Sequence, residues 1–195
     1  MEHGCPNTFP ANPAGSPWQP QAVKWLLLLT CWVLGGAVAL ADTPSAPFTI
    51  SRLDSGKSLP AFQLKTLQGE SVDSKALSGR VLILNFWATW CGPCKEEMPS
   101  LERLRRQFSP EHLQILAVTT DIRPREIESF WKQLNLHFEV VLDDQEALSQ
   151  ALLVRNLPTT ILVDTHGRIR GRVMGPREWD DQDAIAFVKS LILHP

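Results

Sequence analysis

The 195-residue chain lacks an excess of either charge: 19 lysines and arginines stand against 21 aspartates and glutamates. It also lacks any run of like charges. Nothing therefore points to nucleic acid or to an acidic substrate. Internal repeats are absent, so the fold is not an array of stacked units. Cysteine is scarce, with four residues in all, and beyond residue 41 only Cys91 and Cys94 remain. That is too few for a disulfide-dense scaffold. A zinc site wants four ligands, and there is no second cysteine pair. His112, His137, His166 and His194 are scattered without ligand spacing. Apolar residues make up 44% of the chain, enough for an ordinary globular core without staples.

The first forty residues differ in character from the rest. Residues 1–23 are rich in Pro, Gly, Asn and Gln, a composition that does not support a core. Lys24 then precedes an apolar run, WLLLLTCWVLGGAVALA, over residues 25–41. It ends in Ala39-Leu40-Ala41, the A-x-A pattern of a signal-peptide cleavage site. The expectation is an export signal over residues 1–41. The alternative is an uncleaved membrane anchor through residues 25–41, although the run is short for a spanning helix and Gly35-Gly36 weakens it. Residues 42–58 begin with the polar, proline-rich DTPSAP and read as a linker. Residues 59–195 form the folded domain.

Within that domain, residues 81–86 (VLILNF) are an unbroken apolar run, as expected of a strand buried on both faces. Met98, Leu101, Leu104 and Phe108 follow at helical spacing, with Pro99 inside the pattern as a source of a kink. Residues 113–118 (LQILAV) read as a strand and residues 124–134 as a helix behind Pro124. Residues 139–142 form a short strand and residues 146–152 a short helix. Residues 159–163 and 169–174 are strands joined by a turn at His166-Gly167. Residues 181–193 close the chain as a helix. Phe62, Leu64 and Leu67 suggest an added N-terminal strand or hairpin around Gly69. Strands alternating with helices predict an α/β fold, with a parallel sheet covered on both faces and extended by antiparallel strands.

The stretch WATWCGPCKEEMP, residues 87–99, carries the chemistry. Its CxxC pair is open to three readings: a staple, half of a metal site, or a redox centre. A staple here would close only a tiny loop, which constrains the unfolded chain least. The pair falls where the first buried strand ends and the first long helix begins. A thiol at a helix N-terminus meets unpaired N–H groups and the positive end of the dipole. Both favour the thiolate, so Cys91 is expected to titrate below the free value of about 8.5. Pro93 suits the first turn, where its missing N–H costs nothing. Cys91 is expected to be the exposed attacker, with Cys94, one turn in, more buried and resolving the mixed disulfide.

FWATWCGPC resembles the thioredoxin-fold active site. The wider pattern PAFQLKTLQGESV, LSGRVLILNFWATWCGPCKEEMPSLERL and NLPTTILVDTHGRI resembles the TlpA/ResA-like branch of exported thiol–disulfide oxidoreductases, over roughly residues 59–192. The resemblance implies a thioredoxin fold: a central mixed sheet flanked by helices, an N-terminal β extension and a central αβ insertion near residues 123–142. It implies that Cys91, Cys94 and Glu97 are catalytic. Glu97 matches an acid that assists proton transfer in ResA-like proteins, although a Glu in the first turn is also favoured by the dipole alone. It implies that Pro158 is the proline that is cis in thioredoxin folds and meets a substrate strand, together with Leu157, Trp90, Gly92 and Pro93. Trp90 looks like the tryptophan that shields the thiol, whereas Trp87 packs structurally. Asn85 stands where thioredoxin has a buried Asp, and an amide cannot take up a proton as a carboxylate does. Thr159 follows Pro158 where the cytochrome-maturation branch usually has Glu. The -CGPC- sequence resembles reducing thioredoxins more than strong oxidants.

The implied activity is reduction of disulfide-containing protein substrates in the periplasm or elsewhere outside the cytoplasmic membrane. A membrane electron donor would re-reduce the pair, and no bound cofactor or nucleic acid is implied. Two rivals remain at this level. One is a peroxiredoxin-like peroxidase, although Ala88-Thr89-Trp90-Cys91 lacks the T-x-x-C spacing. The other is a Cu(I)-binding metallochaperone-type module using the two thiolates. Arg103, Arg105 and Arg106 read as a solvated helix face.

Overall fold

The computed structural model describes residues 56–121 and 123–194. Seven strands are present there: β1 (Gln63–Thr66), β2 (Ser71–Asp73), β3 (Val81–Trp87), β4 (Leu113–Thr119), β5 (Glu139–Leu142), β6 (Thr159–Val163) and β7 (Ile169–Met174). They form one sheet in the order β2-β1-β5-β4-β3-β6-β7. The helices are α1 (Gly92–Arg105), α2 (Pro124–Leu134), α3 (Ala147–Ala151) and α4 (Gln182–Leu193). β3, β4 and β5 run parallel, while β6 and β7 add antiparallel strands beyond β3. The β1–β2 hairpin joins the other edge by antiparallel pairing of β1 with β5. Its turn uses Gly69 at φ +86°, a conformation open to glycine without penalty.

β3 is the central strand, and every one of its residues is buried. Period-2 alternation sends Val81, Ile83, Asn85 and Trp87 to one face and Leu82, Leu84 and Phe86 to the other. The first face meets Met98, Leu101 and Leu104 of α1, Ile127 of α2, and Val188 and Leu191 of α4. The second meets Phe62, Leu64, Leu77, Leu148 and Leu152. This explains why β3 reads as a continuous apolar run rather than an alternating one. Asn85, the single polar residue in it, is therefore buried on the α1 side. The N-terminal extension and the inserted α2–β5 unit stand where the resemblance implies them. Gly56, Ser58 and Leu59 also pair with the β6–β7 hairpin, so the end of the expected linker belongs to the sheet margin. The apolar run of residues 25–41 lies outside the described residues. Among the described residues, no helix is long and apolar enough to cross a membrane.

The reading of Arg103, Arg105 and Arg106 as a solvated face holds, since Arg103 and Arg106 are exposed and Arg105 half-buried, but all three are also ion-paired. Arg103 pairs with Asp180 at 2.6 Å and Glu178 at 3.0 Å, tying α1 to the segment before α4. Arg105 and Arg106 converge on Glu102, at 2.8 and 3.1 Å. That carboxylate also accepts the backbone N–H of His137 at 3.0 Å. Charged residues at helical spacing look solvated in a sequence. Here Glu102, a buried acid one turn earlier on α1, recruits Arg105 and Arg106.

Burial pushes the Glu102 carboxyl up, but Arg105, the His137 N–H and Arg106 outweigh it and hold the pKa at about 2. The folded value lies below the unfolded one. The stabilisation is therefore full above about pH 4.5 and is lost as pH falls toward 2. Glu102→Gln should abolish this acid limb. The difference between wild type and variant in urea-unfolding free energy is expected to shrink by on the order of 3 kcal/mol between about pH 5 and pH 2. A constant difference over that range would contradict the ion-pair reading.

Candidate active site

The chain leaves β3 at Trp87 and turns through Ala88, Thr89 and Trp90 into α1. Asp121, just past β4, accepts the Thr89 N–H at 2.6 Å and so pins this turn to the neighbouring strand end. Asp121 is itself held by its own N–H on Thr119 Oγ1 at 3.1 Å. Cys91 is the N-cap of α1, with extended backbone, and Pro93 lies in the first turn. Cys91 and Cys94 form a disulfide, with Cα atoms 5.3 Å apart. The Cys94 N–H donates to Cys91 Sγ at 3.3 Å. A capping side chain turns back over the first turn, where it satisfies a donor the helix cannot.

This geometry modifies the expectation of an exposed attacker. Cys91 is buried, with 6% of its surface accessible, its sulfur being bonded to that of the enclosed Cys94 and turned back over the first turn of α1. Cys94 is the more enclosed of the two, with no accessible surface. The rim is formed by Gly92 and Pro93, both exposed, and by Trp90, which is 72% exposed. Trp87, by contrast, is buried against Phe130 and Trp131 of α2, with ring centroids 5.6 and 4.9 Å away. The inserted helix is thus docked directly beneath the active-site strand. Lys95 lies over the Phe130 ring at 5.7 Å, beside a groove of about 380 Å³ that Thr89 and Arg125 also line.

The Leu157–Pro158 peptide is cis. In the β3–β6 register Thr159 faces Phe86. Pro158 therefore lies level with Trp87, at the C-terminal end of β3 from which the cysteine turn departs. Pro158 is buried, Leu157 half-buried, and the Pro158 carbonyl accepts the Gly175 N–H at 2.9 Å.

Glu97 lies one turn beyond Cys94, facing the sheet, and is 1% exposed. Asn85 Nδ2 donates to its Oε1 at 2.7 Å, and to Thr160 Oγ1 at 2.9 Å. Trp179 Nε1 donates to its Oε2 at 3.1 Å, and the Arg177 N–H to the same oxygen at 3.2 Å. Burial pushes the Glu97 carboxyl up to about 7, against the pull of the Trp179, Asn85 and Arg177 donors. A carboxyl with this pKa can take up or release a proton near neutral pH.

Sequence reasoning brings Cys91, Cys94, Glu97, Trp90 and Pro158 to one region, but it misses Trp179, Arg177, Ser100 and Asp121. Trp179 had one legible signal: a large aromatic in the polar stretch GPREWDD, where a solvated loop has no use for it.

Comparison with known proteins agrees with this geometry. The profile of the Redoxin family matches residues 54–187. The thiol-disulfide oxidoreductase ResA of Bacillus cereus is 32% identical over 150 residues, covering 77% of this chain and 84% of that protein. ResA of Halalkalibacterium halodurans is 34% identical over 147 residues, covering 74% and 82%. Among solved structures, a thiol:disulfide interchange protein of the thioredoxin family from Chlorobium tepidum superposes with a TM-score of 0.62. It is 25% identical and covers 70% of this chain and 97% of that one.

The buried carboxyl makes a stability prediction of its own. The folded pKa of Glu97 is above the unfolded value. Its contribution is therefore full below about pH 4.5 and is lost as pH rises through about 7. Relative to wild type, Glu97→Gln should gain stability on the order of 3 kcal/mol between about pH 4 and pH 8 in denaturant unfolding of the oxidised protein. A flat difference would mean that the carboxyl is not desolvated in solution.

Proposed function

The chain belongs to the Redoxin family and is a ResA/TlpA-like thiol–disulfide oxidoreductase, and from that premise we propose that it reduces protein disulfides outside the cytoplasmic membrane. The observation that carries this reading is the Cys91–Cys94 couple at the N-terminus of α1. In the reduced protein, the Cys91 thiolate attacks one sulfur of a substrate disulfide. A mixed disulfide forms, and the other substrate sulfur leaves as a thiolate that takes up a proton. Cys94 then loses its proton and attacks Cys91 Sγ, releasing the second substrate thiol and closing the Cys91–Cys94 disulfide. Two electrons and two protons pass to the substrate. A dithiol donor at the membrane must return the two electrons.

Glu97 supplies the proton relay in this reading. It lies on the same helix face as Cys94, and its pKa near 7 suits a group that accepts a proton and gives it back. Pro158 has no N–H, and its carbonyl is already engaged by Gly175. The backbone of Leu157 is thus the group left to meet a substrate strand, while Trp90, Gly92 and Pro93 form the rim it crosses. The reducing direction is supported by the -CGPC- sequence, which resembles that of reducing thioredoxins more than that of strong oxidants. Export is supported by the leader-like residues 1–41, with cleavage after Ala41 or retention through residues 25–41 as an anchor.

Cys94→Ser should accumulate mixed disulfides with client proteins, recovered as thiol-sensitive adducts after acid quenching and alkylation. Cys91→Ser should form none, and wild type should be found mostly as the dithiol in cells. Adducts of equal yield from both variants, or a mostly oxidised wild-type pool, would reverse the assignment of attacker or direction. Tight one-to-one Cu(I) retention without disulfide exchange would favour the metallochaperone reading instead.

A further inference from the structure

The segment between β7 and α4 carries two of the donors to Glu97, and it is fastened to α1 at several points. Ser100 Oγ accepts the Trp179 N–H at 3.0 Å; its own proton has the Glu97 carbonyl at 2.7 Å as the nearer acceptor and the Arg177 carbonyl at 3.2 Å as the farther one. Arg103 holds Glu178 and Asp180 from the next turn of the helix. These contacts deliver one large side chain inward. Trp179 is fully buried, and its indole N–H ends on Glu97 Oε2. A buried indole needs a partner for its N–H, but that partner need not be a carboxylate. Packing alone would be served by Phe.

We propose that Trp179 is a positioning residue for the proton relay: its indole N–H fixes the Glu97 carboxyl and sets the pH range in which Cys94 exchanges its proton. This rests on the role given to Glu97 above. The carboxyl is held at both oxygens, by Asn85 from β3 on Oε1 and by Trp179 and the Arg177 N–H on Oε2. The groups facing it from the sheet, Asn85 and Thr160, are neutral. On its own helix the titratable neighbour is Cys94, once reduced. The nearest charges on the clamping segment are engaged: Arg177 lies 3.7 Å from Asp181, and Asp180 and Glu178 are held by Arg103. A hydrogen bond to the ionised form stabilises it. Removing the indole donor therefore moves the ionisation of Glu97 to higher pH, while the Phe side chain keeps most of the packing.

The test is the pH profile of disulfide reduction by the whole reduced protein, using a small aromatic disulfide as probe, for wild type, Trp179→Phe and Glu97→Gln. Trp179→Phe should shift the inflection assigned to Glu97 upward by about 1 to 2 pH units, with its rate at high pH retained. Glu97→Gln should lose that inflection. A wild-type profile in Trp179→Phe together with a flattened one in Glu97→Gln would overturn the positioning claim alone. An unchanged inflection in Glu97→Gln would sink the relay and this proposal together. Wild-type protein supplies a readout that does not depend on how well the Phe variant folds. The ¹⁵N indole resonance of Trp179 should titrate near pH 7, and should cease to do so in Glu97→Gln. An indole resonance that stays constant from about pH 5 to pH 9 in wild type would contradict the contact in solution.

Discussion

The arrangement depends on a carboxyl kept where a hydrocarbon would cost less. Glu97 is enclosed between α1, β3 and the segment before α4, and its oxygens are met by neutral donors rather than by a cation. An unpaired charge in such a place is strongly penalised, and the group responds by raising its pKa until the neutral form competes. The donors limit that rise. The result is a carboxyl that changes protonation near pH 7, one helical turn from Cys94, the thiol that loses a proton in the proposed exchange. Asn85 is part of this balance. It cannot carry the proton itself, but its amide holds one carboxyl oxygen and reaches across to Thr160 beside the cis Leu157–Pro158 peptide.

Glu102 shows what other partners do to the same side chain. It lies on the same helix, is less deeply enclosed, and has its pKa at about 2. Arg105, the His137 N–H and Arg106 stabilise the Glu102 carboxylate, whereas dipoles alone surround the more deeply desolvated Glu97. One acid serves as a structural anchor for α1 and the loop at His137. The other is left poised. Two identical side chains five positions apart thus acquire separate tasks from their environments.

Much of this was legible in the sequence. The unbroken VLILNF run announced a central strand, because burial on both faces removes the usual alternation. CGPC at the end of that strand announced a helix N-terminus with a thiol on it. Other parts were hidden by their nature. The inward turn of Cys91 goes with its bond to the enclosed Cys94 and its place over the first turn of α1, which spacing does not reveal. The pairing of the α1 arginines was hidden because the partners of Arg103, Glu178 and Asp180, are remote in sequence, and helical spacing does not mark Glu102 as buried. Trp179 is separated from Glu97 by four strands in chain order, so the contact depends on how the segment before α4 returns over α1. Long-range polar contacts leave no periodic trace, whereas strand and helix faces do.

The central claim is that Cys91 and Cys94 form a reversible couple that works in the reducing direction. The most direct measurement is the equilibrium reduction potential of the purified protein at neutral pH, read by thiol trapping against graded glutathione and dithiothreitol buffers. The account predicts one two-electron transition, confined to Cys91 and Cys94, at a potential well below that of glutathione. A potential at or above glutathione, or the absence of a reversible transition, would contradict it.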